Sequence, residues 1–158
     1  MSESTPLGLA KTHRRFSALC FNQTWTLLET PTRSTDHDLQ MLSLAHTSLW
    51  HWTQRDDCAP RNLAIAFWLL SRVSAVLRRL EDASLYAEKS LLHARGGGPF
   101  LIGYAYESLA RAAQLKGQHE SAAEILQTAF TLAHDVTEES ERTKLLMDLK
   151  ELEALQRP

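Results

Sequence analysis

"AYESLARAAQLKGQHESAAEILQTAFTLA", Ala105–Ala133, decides the fold. Apolar residues recur at steps of three and four on both sides of one glycine, the pattern of two amphipathic helices joined by a tight turn. Tyr106 is followed three residues on by Leu109 and then by the small Ala110. Past the Gly117 turn, Ala122 and Ala129 stand seven apart, close to two helical turns, so they share a face. Small residues on facing sides let two helices approach closely. Large ones fill the space between neighbouring hairpins.

The same plan recurs upstream in "FWLLSRVSAVLRRLEDASLYAEKS", Phe67–Ser90. Phe67, Leu70, Ser71, Ala83 and Ser90 hold the corresponding offsets, and Arg78 stands where the turn glycine would be. Ala83 and Ala122 are 39 positions apart. Allowing about five residues for the stretch around "GGGPF" leaves the 34-residue period of the tetratricopeptide repeat. Both segments resemble that repeat, with His134 where the family often has proline. The resemblance covers about residues 60–134 closely and 9–52 by its two-helix plan. The stretches "FNQTW", "LAHTSLWHW" and "YAYESLARA" further resemble small bacterial tetratricopeptide-like proteins of unassigned function. It implies an all-α fold: antiparallel helix hairpins stacked as a short right-handed superhelix.

Breakers divide the remainder. Helices are expected over about 9–29, 36–52, 60–78, 82–95, 100–115, 119–134 and 138–156. Pro31 ends the first, because proline cannot continue a helix and restricts Thr30. Thr35 is the expected N-cap of the second, with Asp38 as its capping-box partner. Pro60 suits a first helical turn, and Gly96–Pro99 is the strongest breaker. The chain then reads as one domain: hairpins over 9–52, 60–95 and 100–134, and a last helix over 138–156. That helix carries Leu145, Leu149, Leu152 and Leu155 on one stripe. A repeat array leaves its final hairpin's apolar side open, so the stripe reads as a cap, or alternatively as a homodimer contact.

Composition narrows the function classes. With 17 Lys+Arg against 19 Asp+Glu, the charge is nearly balanced, which gives no case for nucleic acid or an anionic membrane. "LAIAFWLL", Leu63–Leu70, is far shorter than the ~18 apolar residues of a membrane span. Cys20 and Cys58 have neither zinc-site spacing nor the number of a disulfide scaffold. A cytoplasmic protein is expected.

No metal or catalytic constellation is legible, and no cofactor is expected. His46 and His51, five apart, diverge by about 140° on a helix and cannot share one ion. His37 is over two turns from His46, and the other histidines are scattered. No G-x-S-x-G elbow occurs, Cys20 sits among apolar neighbours, and "RGGGP" lacks the lysine of a phosphate loop. A non-catalytic module is expected.

In the tetratricopeptide family the first helix of each hairpin lines a concave face. Carried onto this chain, the resemblance places Trp68, Arg72, Tyr104, Glu107, Arg111 and Gln114 there, with Asn22 from the first helix. Two arginines beside aromatics suit an extended peptide or a carboxylate. The competing reading is that Arg72 and Glu107 simply pair across hairpins. The leading function is therefore a protein- or peptide-binding module. The alternative is a small-molecule-binding or enzymatic pocket built from His46, Trp50, Trp25 and Asn22. On a helical projection Leu42, Ala45, Leu49 and Trp52 form one face, His46 and Trp50 meet at its edge, and His51 points away.

Overall fold

A computed structural model describes residues 6–155, with side chains from residue 8 onward. It is all-α among these residues: α1 (Pro6–Leu28), α2 (Thr35–Thr53), α3 (Pro60–Val76), α4 (Leu80–Ala94), α5 (Gly98–Leu115), α6 (His119–His134) and α7 (Glu139–Ala154). Pairs α1–α2, α3–α4 and α5–α6 pack as hairpins. Helix α3 also touches α5, and α5 touches α7. Alternate helices α3, α5 and α7 thus share a layer. Helix α1 joins that layer through Trp25, whose ring lies 5.5 Å from Trp68 of α3. No described helix is long and apolar enough to cross a membrane.

Small residues set the spacing. Ala83, Ala87, Ala105, Ala110, Ala122 and Ala129 are fully buried, as the sequence pattern requires. Serines occupy equivalent places and add a bond. Ser71 Oγ donates to the Ala83 carbonyl at 2.8 Å, and Ser90 Oγ donates to the Ala64 carbonyl at 2.9 Å, both between α3 and α4. Their counterparts in the next hairpin are Ala110 and Ala129, fully buried but with no hydroxyl to donate. Ser48 Oγ ties α2 to α1 in the same way, through the Ser17 carbonyl at 2.8 Å. A buried hydroxyl must find such a partner or cost stability.

The two turns of the repeat match bond for bond. Arg79 N–H donates to the Ser74 carbonyl at 2.8 Å, and Gln118 N–H donates to the Ala113 carbonyl at 3.0 Å. Each closes a helix end in the six-to-one pattern that needs a left-handed residue. Gly117 adopts it at φ 76°, and Arg78 adopts it at φ 56°. The non-glycine thus keeps the geometry despite its Cβ.

Two expectations are corrected, and a third, left between two readings, falls to the first of them. Ser34, not Thr35, caps α2. Its backbone is extended, its hydroxyl accepts from the His37 N–H at 3.2 Å, and His37 Nδ1 accepts from the Ser34 N–H at 3.3 Å. Asp38 is occupied by Arg33 at 2.8 Å. The glycine break is also shorter than it reads, since Gly98 and Pro99 already belong to α5. Finally, Leu145, Leu149 and Leu152 are fully buried against Ala110, Leu126, Ala129 and Ala133 of their own chain. The stripe is a cap; only Leu155 of the four remains exposed for a second copy.

A Cβ on Gly117 would meet no atom within 4 Å, so replacement there is a purely backbone effect. Arg78→Gly is expected to raise stability by about 0.5–1 kcal/mol and Gly117→Ala to lower it by about 1 kcal/mol. Urea unfolding of the two variants checks both signs.

Candidate functional site

Glu107 sits on the inner side of α5 with 1% of its surface exposed. An unpaired carboxylate could not stay ionised there. Three neighbours supply donors. Trp68 Nε1 donates to Oε2 at 2.9 Å, while Arg72 Nη1 at 3.3 Å and Arg111 Nε at 2.9 Å donate to Oε1. Trp68 and Arg72 come from α3, one helical turn apart, and Arg111 comes from α5, one turn beyond Glu107. Both arginine side chains are mostly buried, and burial followed by repulsion from Arg111 works against the charge on Arg72. The expected Arg72–Glu107 pair is therefore present, as part of a four-residue junction that fastens α3 to α5.

The other two α5 residues assigned to this face reach α7. Tyr104 Oη donates to Asp148 Oδ2 at 2.7 Å. Gln114 Nε2 donates to the Leu155 carbonyl at 2.8 Å, and its buried Oε1 has no partner among the described residues. Helix α7 thus runs beside α5 and forms one wall of a groove whose opposite wall is α3. Gly103 makes this approach feasible, because a Cβ there would stand 2.6 Å from Leu145 Cδ2.

Two cavities flank the Glu107 junction along this groove. One, of about 350 Å³, is lined by Ala75, Val76, Arg78, Arg111, Gln114, Leu115, Leu152 and Leu155. The other, of about 240 Å³, is strongly aromatic: Phe21 and Trp25 of α1, Trp68 of α3, and Phe100 and Tyr104 of α5 line it. Ala64, Ile65, Ser90 and Leu101 complete its apolar wall, and Lys144 and Asp148 of α7 stand at it as well. Trp68 meets Tyr104 edge to face at 5.2 Å, and Tyr104 meets Phe100 likewise at 5.1 Å. Burial, then the hydrogen bond to Asp148, push the Tyr104 hydroxyl far above the usual phenol range, so it remains a donor. Asn22 lies outside this groove, in a separate recess of about 170 Å³ with Ala18, Phe21, Trp52, Asn62 and Ile65.

The alternative pocket does not assemble. Trp25 belongs to the aromatic cavity, whereas His46 is exposed and rests its ring on Tyr86 of α4 at 5.8 Å. Trp50 is also exposed and meets His13 and His51 rather than His46. The reason lies in which side of α2 faces α1. Met41, Ala45 and Ser48 form the buried centre of α2, so His51, three residues past Ser48, turns toward α1 instead of away. There His51 Nδ1 lies 2.9 Å from His13 Nδ1, with Phe16 stacked on the His51 ring. One Nδ1 must carry a proton and the other a lone pair. Burial and then the neighbouring His13 lower the His51 pKa.

Sequence reasoning missed Phe21, Ile65, Phe100, Lys144 and Asp148. The first three read as ordinary core. Lys144 and Asp148, four apart, lie off the leucine stripe that the sequence analysis followed on this helix. Groups of three or more metal-ligating side chains are absent among the described residues.

Two outcomes follow from this geometry. Glu107→Gln leaves two guanidiniums around a neutral amide and should cost about 3 kcal/mol, the lower end for a broken buried pair because Arg72 and Arg111 retain some water contact. Urea unfolding measures it. A histidine with a lowered folded pKa stabilises fully above the unfolded value of 6.5 and loses that contribution as pH falls below it. Stability should therefore fall as pH drops through about 6.5, the unfolded value. His51→Asn, which keeps a nitrogen near the Nδ1 position, should remove part of the drop in parallel melts.

Comparison with known proteins finds no matching family model, no matching curated protein and no matching solved structure.

Proposed function

We propose that this chain is a tetratricopeptide-like, non-catalytic interaction module of the bacterial cytoplasm that binds a peptide segment in the groove between α3 and α7. The observation that carries the reading is the aromatic cavity of about 240 Å³. Most of the interior is filled by small residues at close helix contacts and by leucines packed against them. The recess, walled by five large rings and open to solvent, presents apolar surface that a bulky side chain would cover. Its volume suits one side chain: a cavity of roughly 150 Å³ accommodates benzene, and small-molecule sites usually begin near 300 Å³. Trp and Tyr walls offer rigid contact area, the feature that concentrates binding energy at interfaces.

The arginines play a different part from the one the resemblance implies. Arg111 and Arg72 are committed to Glu107, so the clamp they form is turned inward on the chain's own carboxylate. Recognition then rests on the cavity as anchor, with the groove floor along α5 guiding the flanking residues. Both cysteines are free, as suits a reducing compartment.

Selection of peptides from a displayed random library tests this reading. Enriched peptides should share one bulky side chain at a fixed position. They should lose about tenfold or more in affinity for Ile65→Phe, which fills the cavity from its wall. Peptides that bind the variant equally well would sink the anchor role.

A further inference from the structure

The aromatic cavity has an electrostatic character beyond its shape. Trp68 and Tyr104 each spend their polar hydrogen on a carboxylate: the indole N–H on Glu107 at 2.9 Å, and the phenol on Asp148 at 2.7 Å. Donation to an anion pushes electron density back into the ring. Both faces are therefore richer in negative charge than those of a free indole or phenol. Trp68, Tyr104 and Phe100 stand nearly at right angles in sequence, 69° and 87° between successive planes, as the sides of a box do. Such faces attract cations, most strongly where water is excluded.

The formal charges around the cavity are two carboxylates, Glu107 and Asp148, and three cations, Arg72, Arg111 and Lys144; of the carboxylates only Asp148 has no arginine partner among the described residues. The groups acting on the Tyr104 hydroxyl are Asp148 and Glu107, with Arg72 opposing them. Arg72 and Arg111 already share Glu107. Asp148 gives one oxygen to Tyr104 and keeps the other for a ligand. Lys144 stands at the same cavity and opposes an incoming cation, but it is exposed on a long flexible stem. The cation–π contacts of the described residues, Arg15 on Phe16 and Arg55 on Trp52, engage none of these three rings.

We infer that the cavity is a cage for an organic cation of the quaternary or methylated ammonium class, with Trp68, Tyr104, Phe100 and Trp25 as its walls and Asp148 as its counter-charge. A weakly hydrated, methyl-covered cation fits an apolar aromatic box, whereas a bare ammonium would lose strong hydration. The inference rests on the proposed anchor role and names its chemistry. The group has two sources, a free solute of the choline type or a trimethylated lysine in a peptide.

The test uses the full chain and follows the indole Nε1–H resonances of Trp25 and Trp68 during titration. The probes are choline, its neutral isostere 3,3-dimethylbutan-1-ol, and a short peptide carrying trimethyl-lysine. Choline or the peptide should bind at least about tenfold tighter than the neutral isostere. Whichever of the two binds more tightly identifies the source. Asp148→Asn should weaken the cation several-fold and leave the isostere unchanged, and Lys144→Gln should tighten the cation. A unfolding curve on each variant separates loss of binding from loss of fold. Equal or tighter binding of the isostere overturns the cage while leaving an apolar anchor intact. No shift at either indole with any probe also overturns it, and the peptide selection then judges the anchor independently.

Discussion

The burial of one carboxylate constrains everything on the inner layer. Glu107 can remain charged at 1% exposure only if donors surround it. Trp68, Arg72 and Arg111 answer that demand from two helices, which fixes the register of α3 against α5. The positions of the neighbouring rings follow. With its indole N–H held by Glu107, Trp68 takes Trp25 and Tyr104 as ring neighbours at 5.5 and 5.2 Å. Tyr104 in turn reaches Asp148 and sets where α7 lies. An apolar set of side chains would pack as densely, but it would not dictate a single rotation of each helix.

Small residues supply the complementary constraint. Buried alanines and serines bring paired helices close, and in the first two hairpins a hydroxyl reaches the opposite backbone. Ser71 and Ala110 show how little the repeat demands at such a place. Either a methyl group or a bonded hydroxyl satisfies it, provided nothing larger intrudes. Arg78 and Gly117 show the same tolerance in backbone form, since both hold the left-handed turn with the same bonds around them.

The hairpin plan was legible because it depends on short-range spacing. Steps of three and four around Gly117 determine two helices whatever else the chain does, and α6 spans the expected residues. The Arg72–Glu107 pair was legible because repeats place equivalent positions side by side. Contacts made across long separations were not. His13 and His51 are 38 residues apart, and only the direction in which α2 turns Ser48 toward α1 brings them together. The aromatic cavity was hidden for another reason. It is space left unfilled between five helices, and no residue pattern marks where side-chain volume is missing. Lys144 and Asp148 could be recognised as part of it only once α7 was seen lying along α5.

Helix α7 touches both cavities of the groove. Its Lys144 and Asp148 stand at the aromatic one, and its Leu152 and Leu155 line the other, which also holds Gln114. The helix is tied to α5 near its middle, through Tyr104 and Asp148, and at its C-terminal cap, through Gln114 and the Leu155 carbonyl. It therefore behaves as a stiff rod shared by two compartments. A change at either contact alters a wall that both cavities share.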